Sequence, residues 1–277
     1  MIESRFSRQE ALFGREGQEL IQKCKVAIVG LGGTGSHVNQ QLAYLGVQSF
    51  ILIDGENAEI TNLNRLVGMT PDDVGVPKVE IAARLIHQIS PSASVTLINK
   101  SVRDREALNA IKTLADCIFG CIDTDGIRFI LNELSCAFDR PFIDIATDTE
   151  LGIGGRMVFS FDGNSCLYCL EELSKKDIHA ELATEKEREE YERIYGIKLQ
   201  ALGSTGPSVV SLNGIISSLA VTEFFNFITK LRSPSRYLCY RGDSGIITKR
   251  NDAPGQTCPY CGIRGKGKTI DIERYAI

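Results

Sequence analysis

Residues 25–54 read KVAIVGLGGTGSHVNQQLAYLGVQSFILID. A short apolar run enters a glycine-rich turn, a helix-length stretch follows, and a second apolar run closes on a carboxylate. Apolar runs without polar alternation belong to strands covered on both faces, and a helix between two of them makes a βαβ unit of a parallel sheet. Gly30, Gly32 and Gly35 fit the spacing GxGxxG, with Gly33 inside the same turn. Glycines placed so let the backbone turn tightly, approach phosphates and pack helix against strand. Asp54 stands about 20 residues past the turn, where an acid meets ribose hydroxyls. The segment predicts a nucleotide site and leaves dinucleotide and ATP both open.

The alternation continues. Strands are expected at 26–29, 50–53, 95–98, 117–121 and 142–145, and helices at 35–45, 78–89, 105–114 and 128–138. A helix over 7–23 precedes them, with Ser7 and Glu10 as its capping box. Beyond residue 146 come a strand over 154–161, a charged stretch over 171–195 read as an exposed helix or crossover, an apolar helix over 208–231, and strands at 237–240 and 246–249. The fold class that follows is α/β: a Rossmann-like, mostly parallel sheet with helices on both faces and a C-terminal antiparallel extension. The 277 residues are read as one domain, with a nucleotide-binding half over 1–150, a substrate- and metal-binding half over 151–277 and a crossover over 171–207.

Hydrophobic residues make up 43% of the chain, which suits a large core and excludes disorder. The N-terminus mixes both charges and has no apolar leader. Segment 208–231 is long enough to span a bilayer, but Asn213, Glu223, Asn226 and Lys230 interrupt it, so a core or dimer helix is expected and no membrane. A net charge of −4 gives no general attraction to nucleic acid, and Arg264, Lys266 and Lys268 read as a solvated tail. Nine cysteines without a leader indicate a reducing compartment and a cytoplasmic protein.

Cys166 and Cys169 form one CxxC pair, Cys258 and Cys261 the other. Four thiolates close a tetrahedral zinc site with no position for a catalytic water, so the zinc is expected to staple distant segments. Redox chemistry at a lone CxxC is the rival reading, and two pairs make it less economical. Cys24, Cys117, Cys121, Cys136 and Cys239 read as small buried hydrophobes. His37 could approach a phosphate but reads as a packed or exposed helix residue, and His87 and His179 as surface.

Between the second strand and the next helix runs GENAEITNLNRLVGMTPDDVGVPKVE. Asn62, Asn64, Arg65 and Lys78 so close to a ribose acid suit a triphosphate: cations offset its charge and amides donate hydrogen bonds. The stretch CIDTDGIR places Asp123 and Asp125 at a strand's carboxyl edge, where open α/β sheets bind ligands. Asp123 is the expected magnesium ligand and Asp125 a helix cap.

Together GLGGTG, Asp54, NLNR at 62–65, Lys78, Asp123 and the two CxxC pairs resemble the ThiF/MoeB/HesA family, whose fold is shared with ubiquitin-activating enzymes. RFSRQ at 5–9 is similar to that family's N-terminal RYxRQ. The resemblance implies a homodimer that binds MgATP and adenylates the C-terminal carboxylate of a small ubiquitin-like or sulfur-carrier protein, or of a peptide. It implies Asp54 on the ribose, Arg65 and Lys78 on the phosphates, Asp123 on magnesium, and Arg8 reaching into the neighbouring subunit's site. Arg8, Arg65, Lys78 and Asp123 would then carry the catalysis.

Three departures stand out. Leu66 replaces the glutamine that follows NLNR in the family, and Thr124 replaces an asparagine after the magnesium aspartate. ALGSTGPSV at 201–209 lacks the conjugating cysteine of many members, near Gly203 or Ser204, and no cysteine lies between Cys169 and Cys239. The acyl adenylate is therefore expected to pass straight to an acceptor. An NAD-dependent oxidoreductase and a non-catalytic scaffold are the alternatives.

Overall fold

The aliphatic runs become strands because helices cover them. In the computed structural model, which describes residues 4–148, 153–163, 166–195, 208–250, 258–267 and 270–277, the parallel strands are β1 (Lys25–Val29), β2 (Ser49–Ile53), β3 (Ser94–Ile98), β4 (Cys117–Gly120) and β5 (Phe142–Asp148). Three further strands, β6 (Gly154–Ser160), β7 (Tyr237–Arg241) and β8 (Ile246–Lys249), continue the sheet antiparallel. The order is β3-β2-β1-β4-β5-β6-β7-β8. Its direction of winding reverses at β1, which lies between β2 and β4, and ligands of open α/β sheets bind at the carboxyl ends beside that reversal.

Successive side chains on β1 serve opposite faces: Val26 and Ile28 enter one core, Ala27 and Val29 the other. The first core is covered by α1 (Ser7–Lys23), α2 (Gly33–Leu45), α3 (Lys78–Ile89) and α8 (Val210–Thr229). On the second lie α4 (Arg105–Thr113), α5 (Asp125–Phe138), Leu167 and Leu170 of the first CxxC segment, and the C-terminal residues Ile272 and Tyr275.

The expected architecture is present, with local corrections. The N-cap of α1 is Phe6 rather than Ser7, and the helix is broken at Gly14 (φ 74°). The charged stretch forms two helices, α6 (Lys175–Leu182) and α7 (Glu185–Tyr195), and α6 docks on α5 with Ala180 buried. Helix α5 begins three residues earlier than expected, with Thr124 as N-cap, so Asp125 sits inside its first turn. Arg264 is no solvated tail residue, because its guanidinium pairs with Asp139 at 2.6 Å and donates to the Phe161 carbonyl at 2.6 Å. Lys268 lies outside the described residues.

Helix α8 is apolar and long enough to cross a membrane by length and composition, yet it packs on α1, α2, β5 and β6. Of the polar residues that interrupt its sequence, Asn213, Glu223 and Asn226 are buried and bonded, while Lys230 is exposed at the C-cap. Glu223 accepts from Arg232 at 2.9 and 2.5 Å and from the Ser235 N–H at 2.6 Å, and Asn226 Nδ2 donates to the Thr222 carbonyl at 2.8 Å.

Candidate functional site

The glycine turn leaves β1 through Gly30, whose φ of 85° favours glycine and where a Cβ would stand 2.5 Å from the Cys121 carbonyl oxygen. Gly35 packs directly on the Gly30 carbonyl. The fold itself demands both glycines. Gly32 differs: a Cβ there would meet no protein atom within 4 Å. That side of the turn is open, as close approach by a phosphate requires. Helix α8 braces the other side, with Asn213 against Gly33 and Ser217 Oγ donating to the Thr34 carbonyl at 3.0 Å.

Asp54 closes β2 beside this turn. Its carboxylate accepts the Leu31 N–H at 2.7 Å and the Glu56 N–H at 2.8 Å. Burial pushes its carboxyl up, opposed by the Leu31 N–H and the charge of Lys78, so the acid and the lysine are electrostatic neighbours. Lys78, the first residue of α3, is only 8% exposed, and its Nζ meets Glu56 Oε2 at 2.5 Å. The Glu56 side chain is 76% exposed.

The connection between Asp54 and Lys78 is ordered from within. Leu66 is buried with Ala58 and Ile81 in a small separate core, so the leucine that replaces the expected glutamine fixes the loop to α3 by burial. Asn62 Oδ1 accepts the Glu59 N–H at 3.0 Å, which leaves its Nδ2 side for a ligand. Arg65 Nη1 donates to the Thr61 carbonyl at 2.5 Å and to Asn64 Oδ1 at 3.2 Å, holding Asn64 and Arg65 together. Arg84 clamps Asp73 through two bonds of 2.6 and 2.7 Å and holds the carboxyl far below the usual range.

Asp123 follows β4 and is exposed at the same carboxyl edge. Behind it lies a buried ionic network that the sequence did not announce. Asp144, with no exposed surface, lies 2.6 Å from Arg156 Nη1 and 3.5 Å from Arg128 Nε, and Arg156 also pairs with Glu172 at 2.5 Å. Asp125 is not the cap of its own helix; its Oδ2 accepts the N–H of Ser174 at 2.7 Å, and Ser174 is the residue that caps α6. In return Glu181 of α6 accepts the Gly126 N–H in the first turn of α5.

The N-terminal segment around Arg8 lies apart from this assembly. Gln9 donates to the Tyr44 carbonyl at the far end of α2, and Arg5 to the Ile89 carbonyl at the end of α3. Arg8, exposed between them, is thus separated from its own glycine turn by the length of α2, about 20 Å for 13 residues. His37 packs against Gly214 of α8, and burial lowers its pKa.

At the other end of α5 the four paired cysteines converge. Their sulfurs lie within 4.8 Å of one another, with Cys166 to Cys169 at 3.7 Å, Cys166 to Cys258 at 3.7 Å and Cys169 to Cys261 at 3.6 Å. A zinc tetrahedron with Zn–S bonds of about 2.3 Å has edges of about 3.8 Å. The donor set and its spacing fit zinc.

The chain matches the ThiF family over residues 6–259. It is a ThiF-family protein. It is similar to ubiquitin-like modifier-activating enzyme 5 of Culex quinquefasciatus, with 27% identity over 260 residues, covering 89% of this chain and 61% of that one. The ThiF chain thus spans less than two thirds of that relative's length. It is also similar to the sulfur carrier protein ThiS adenylyltransferase of Escherichia coli K12, 26% identical over 263 residues with 93% and 94% coverage. Molybdopterin-synthase adenylyltransferase of the same strain is 32% identical over 173 residues, with 61% of this chain and 68% of that one covered. A crystal structure of E. coli MccB with ATP shares the fold at a TM-score of 0.73 and 23% identity, covering 94% of this chain and 75% of that one.

The residues that brace the glycine turn were not legible in the sequence. The bracing by Asn213 and Ser217 comes from a helix far downstream of the turn, Ser217 meeting Thr34 across 183 positions. Gly203 and Ser204, the positions of the absent conjugating cysteine, lie outside the described residues.

Proposed function

We propose that this ThiF-family chain is an ATP-dependent adenylyltransferase. Its substrate is the C-terminal carboxylate of a small ubiquitin-like or sulfur-carrier protein, or of a peptide, converted to an acyl adenylate with release of pyrophosphate. One observation carries the reading: the buried ammonium of Lys78 is held at an open glycine turn by a carboxylate that is itself mostly in water. A pair with one exposed partner is weak, so an incoming phosphate can displace Glu56 at little cost and gain a desolvated cation. The ThiS and molybdopterin-synthase relatives, named as adenylyltransferases, support the same chemistry.

The attacking carboxylate is already a nucleophile, so the protein needs no general base. It has to bring two anions together and stabilise the charge that develops on phosphorus. Asp54, fixed by two backbone N–H groups, accepts from the ribose hydroxyls. Lys78 and Arg65 take the phosphates, with Asn62 and Asn64 as hydrogen-bond donors. Magnesium, when bound, neutralises phosphate oxygens, and Asp123 is the carboxylate placed to hold it. Arg8 cannot reach its own subunit's turn, so its cation serves a second copy in a homodimer.

The adenylate leaves without a thioester to this chain. Cys121 is the described thiol beside the glycine turn, and burial with the nearby Asp144 charge pushes its pKa well up, which keeps it protonated and unreactive. The four clustered thiolates favour a reducing compartment.

Carboxylate-dependent exchange of labelled pyrophosphate into ATP, with zinc-loaded protein and size-fractionated small proteins and peptides, tests the proposal. Exchange should appear with one fraction and vanish in Asp123→Ala and Lys78→Ala. ATP binding without exchange in any fraction would overturn it in favour of a scaffold.

A further inference from the structure

We propose, on the reading that Asp123 holds magnesium, that Glu181 of α6 is a positioning residue for that carboxylate. It caps the first turn of α5 from outside and, with Arg128, grips the short loop on which Asp123 stands.

Among the described residues no side chain is bonded to the Asp123 carboxylate. An exposed carboxylate without a partner suits a hard cation that takes oxygen ligands, and the backbone on either side then sets its aim. Before it, the Ile122 carbonyl accepts from Arg128 Nε at 3.0 Å. After it comes Thr124, the N-cap of α5, whose side chain makes no capping hydrogen bond. The opening N–H groups of a helix need acceptors from outside it. Helix α6 supplies one: Glu181 Oε2 accepts the Gly126 N–H across 55 positions of sequence.

The two helices meet closely here. A Cβ at Gly126 would stand 2.9 Å from Glu181 Oε2 and 3.1 Å from Leu182 Cδ2, and Ile122 and Leu182 both pack against the second core. The start of α6 is tied to the same turn, since Asp125 Oδ2 accepts the Ser174 N–H at 2.7 Å while its Oδ1 accepts from Arg128 Nη1 at 3.2 Å. Loop 122–126 is thus held by Arg128 on one side and by both ends of α6 on the other, with Asp123 between them. A carboxylate at a helix N-terminus is favoured twice, by the orphan N–H it accepts and by the positive end of the helix dipole it faces. Undocking α6 would leave the Gly126 N–H without that acceptor and Asp125 with one partner fewer. Docking of α6 and the aim of Asp123 are therefore coupled, and by linkage a cation on Asp123 holds α6 down as much as α6 holds Asp123 in place.

Calorimetric titration of the full chain with ATP, with and without magnesium, measures the gain in affinity that magnesium confers; buffer free of chelator leaves zinc undisturbed. Glu181→Ala should cut that gain about 3- to 30-fold, the range for loss of one capping acceptor, and leave the affinity for metal-free ATP at the parental value. Glu181→Gln keeps an acceptor oxygen and should retain most of the gain. Asp125→Ala frees the other end of α6 and should lower the gain as well. Hydrogen exchange gives a readout without nucleotide: Glu181→Ala should deprotect residues 122–127 while β1 and α2 stay protected. In the parent, MgATP should slow exchange in α6 more than metal-free ATP does. Parental gain in both Glu181→Ala and Asp125→Ala overturns the proposal, as does Glu181→Gln falling with Glu181→Ala or α6 exchange indifferent to magnesium. If Asp123→Ala abolishes the gain and Glu181→Ala does not, the proposal fails alone. A parent that gains nothing from magnesium removes the reading of Asp123, and the proposal with it.

Discussion

Gly32→Ala separates what the fold needs from what the ligand needs. The added methyl would find no protein atom within 4 Å, so folding stability should change by less than about 1 kcal/mol, a Tm shift of no more than about 2–4 °C for a chain of this size. If phosphates lie against the turn, the same methyl occupies their space. Overpacking by one such group costs about 1–3 kcal/mol, a loss of roughly 5- to 150-fold in MgATP affinity. Gly35→Ala is the control, since its Cβ would collide with the Gly30 carbonyl and the helix would have to move off the strand. It should lower Tm strongly and binding with it. Differential scanning fluorimetry and calorimetric titration with MgATP give both quantities on each variant. A Gly32→Ala protein with parental Tm and parental affinity would show that no phosphate passes over Gly32, and the site would have to be redrawn.

Asp144→Asn should cost about 3–5 kcal/mol by denaturant titration, because it leaves Arg128 and Arg156 buried without their shared anion. Asp73 has a folded pKa depressed by Arg84, so its contribution is complete above the unfolded value of about 3.9 and is lost as pH falls through the folded one. Asp73→Asn should thus be less stable than the parent at neutral pH, with the gap closing as pH falls from about 5 towards 2; a gap that persists in acid would refute the clamp. Chelating the zinc should deprotect the segments around Cys166 and Cys258 in hydrogen exchange while β1, α2 and β2 stay protected. Uniform loss of protection would mean that the metal supports the whole sheet.

How much of this was legible in the sequence depends on how local each interaction is. The β1–turn–α2–β2 unit could be read because strand, glycines and Asp54 lie within thirty consecutive residues and each has a distinctive chemistry. The CxxC pairs could be read because cysteine spacing carries ligand geometry regardless of what lies between. The Ser7–Glu10 capping box failed because Phe6, buried against Gly46, decides how the chain enters α1, and tertiary packing outweighs one side-chain cap. Cys136 is fully buried, as its apolar surroundings in the sequence led one to expect. The ionic network was not read from the sequence, because only the antiparallel register of β5 and β6 brings Arg156 to the buried Asp144.

The position of α5 joins the two halves. Its first turn borders Asp123 and its last carries Cys136, and 14 residues of helix separate those ends by about 21 Å. Four thiolates fill the coordination of a zinc ion, so an ion at that distance cannot polarise the reacting phosphate. A zinc ion held by these thiolates would contribute structurally, and the antiparallel extension is where such a contribution would count. All four residues of β8 are exposed and β7 is covered only in part, so this part of the sheet buries little apolar surface to hold itself in place. Metal binding can supply that deficit because its free energy is folding free energy. The glycine turn, set on β1 and flanked by β2 and β4, whose residues are almost all buried, has no such need. The two ends then respond differently to the same perturbation: chelation loosens the surface proposed to receive the substrate and leaves the glycine turn able to bind ATP.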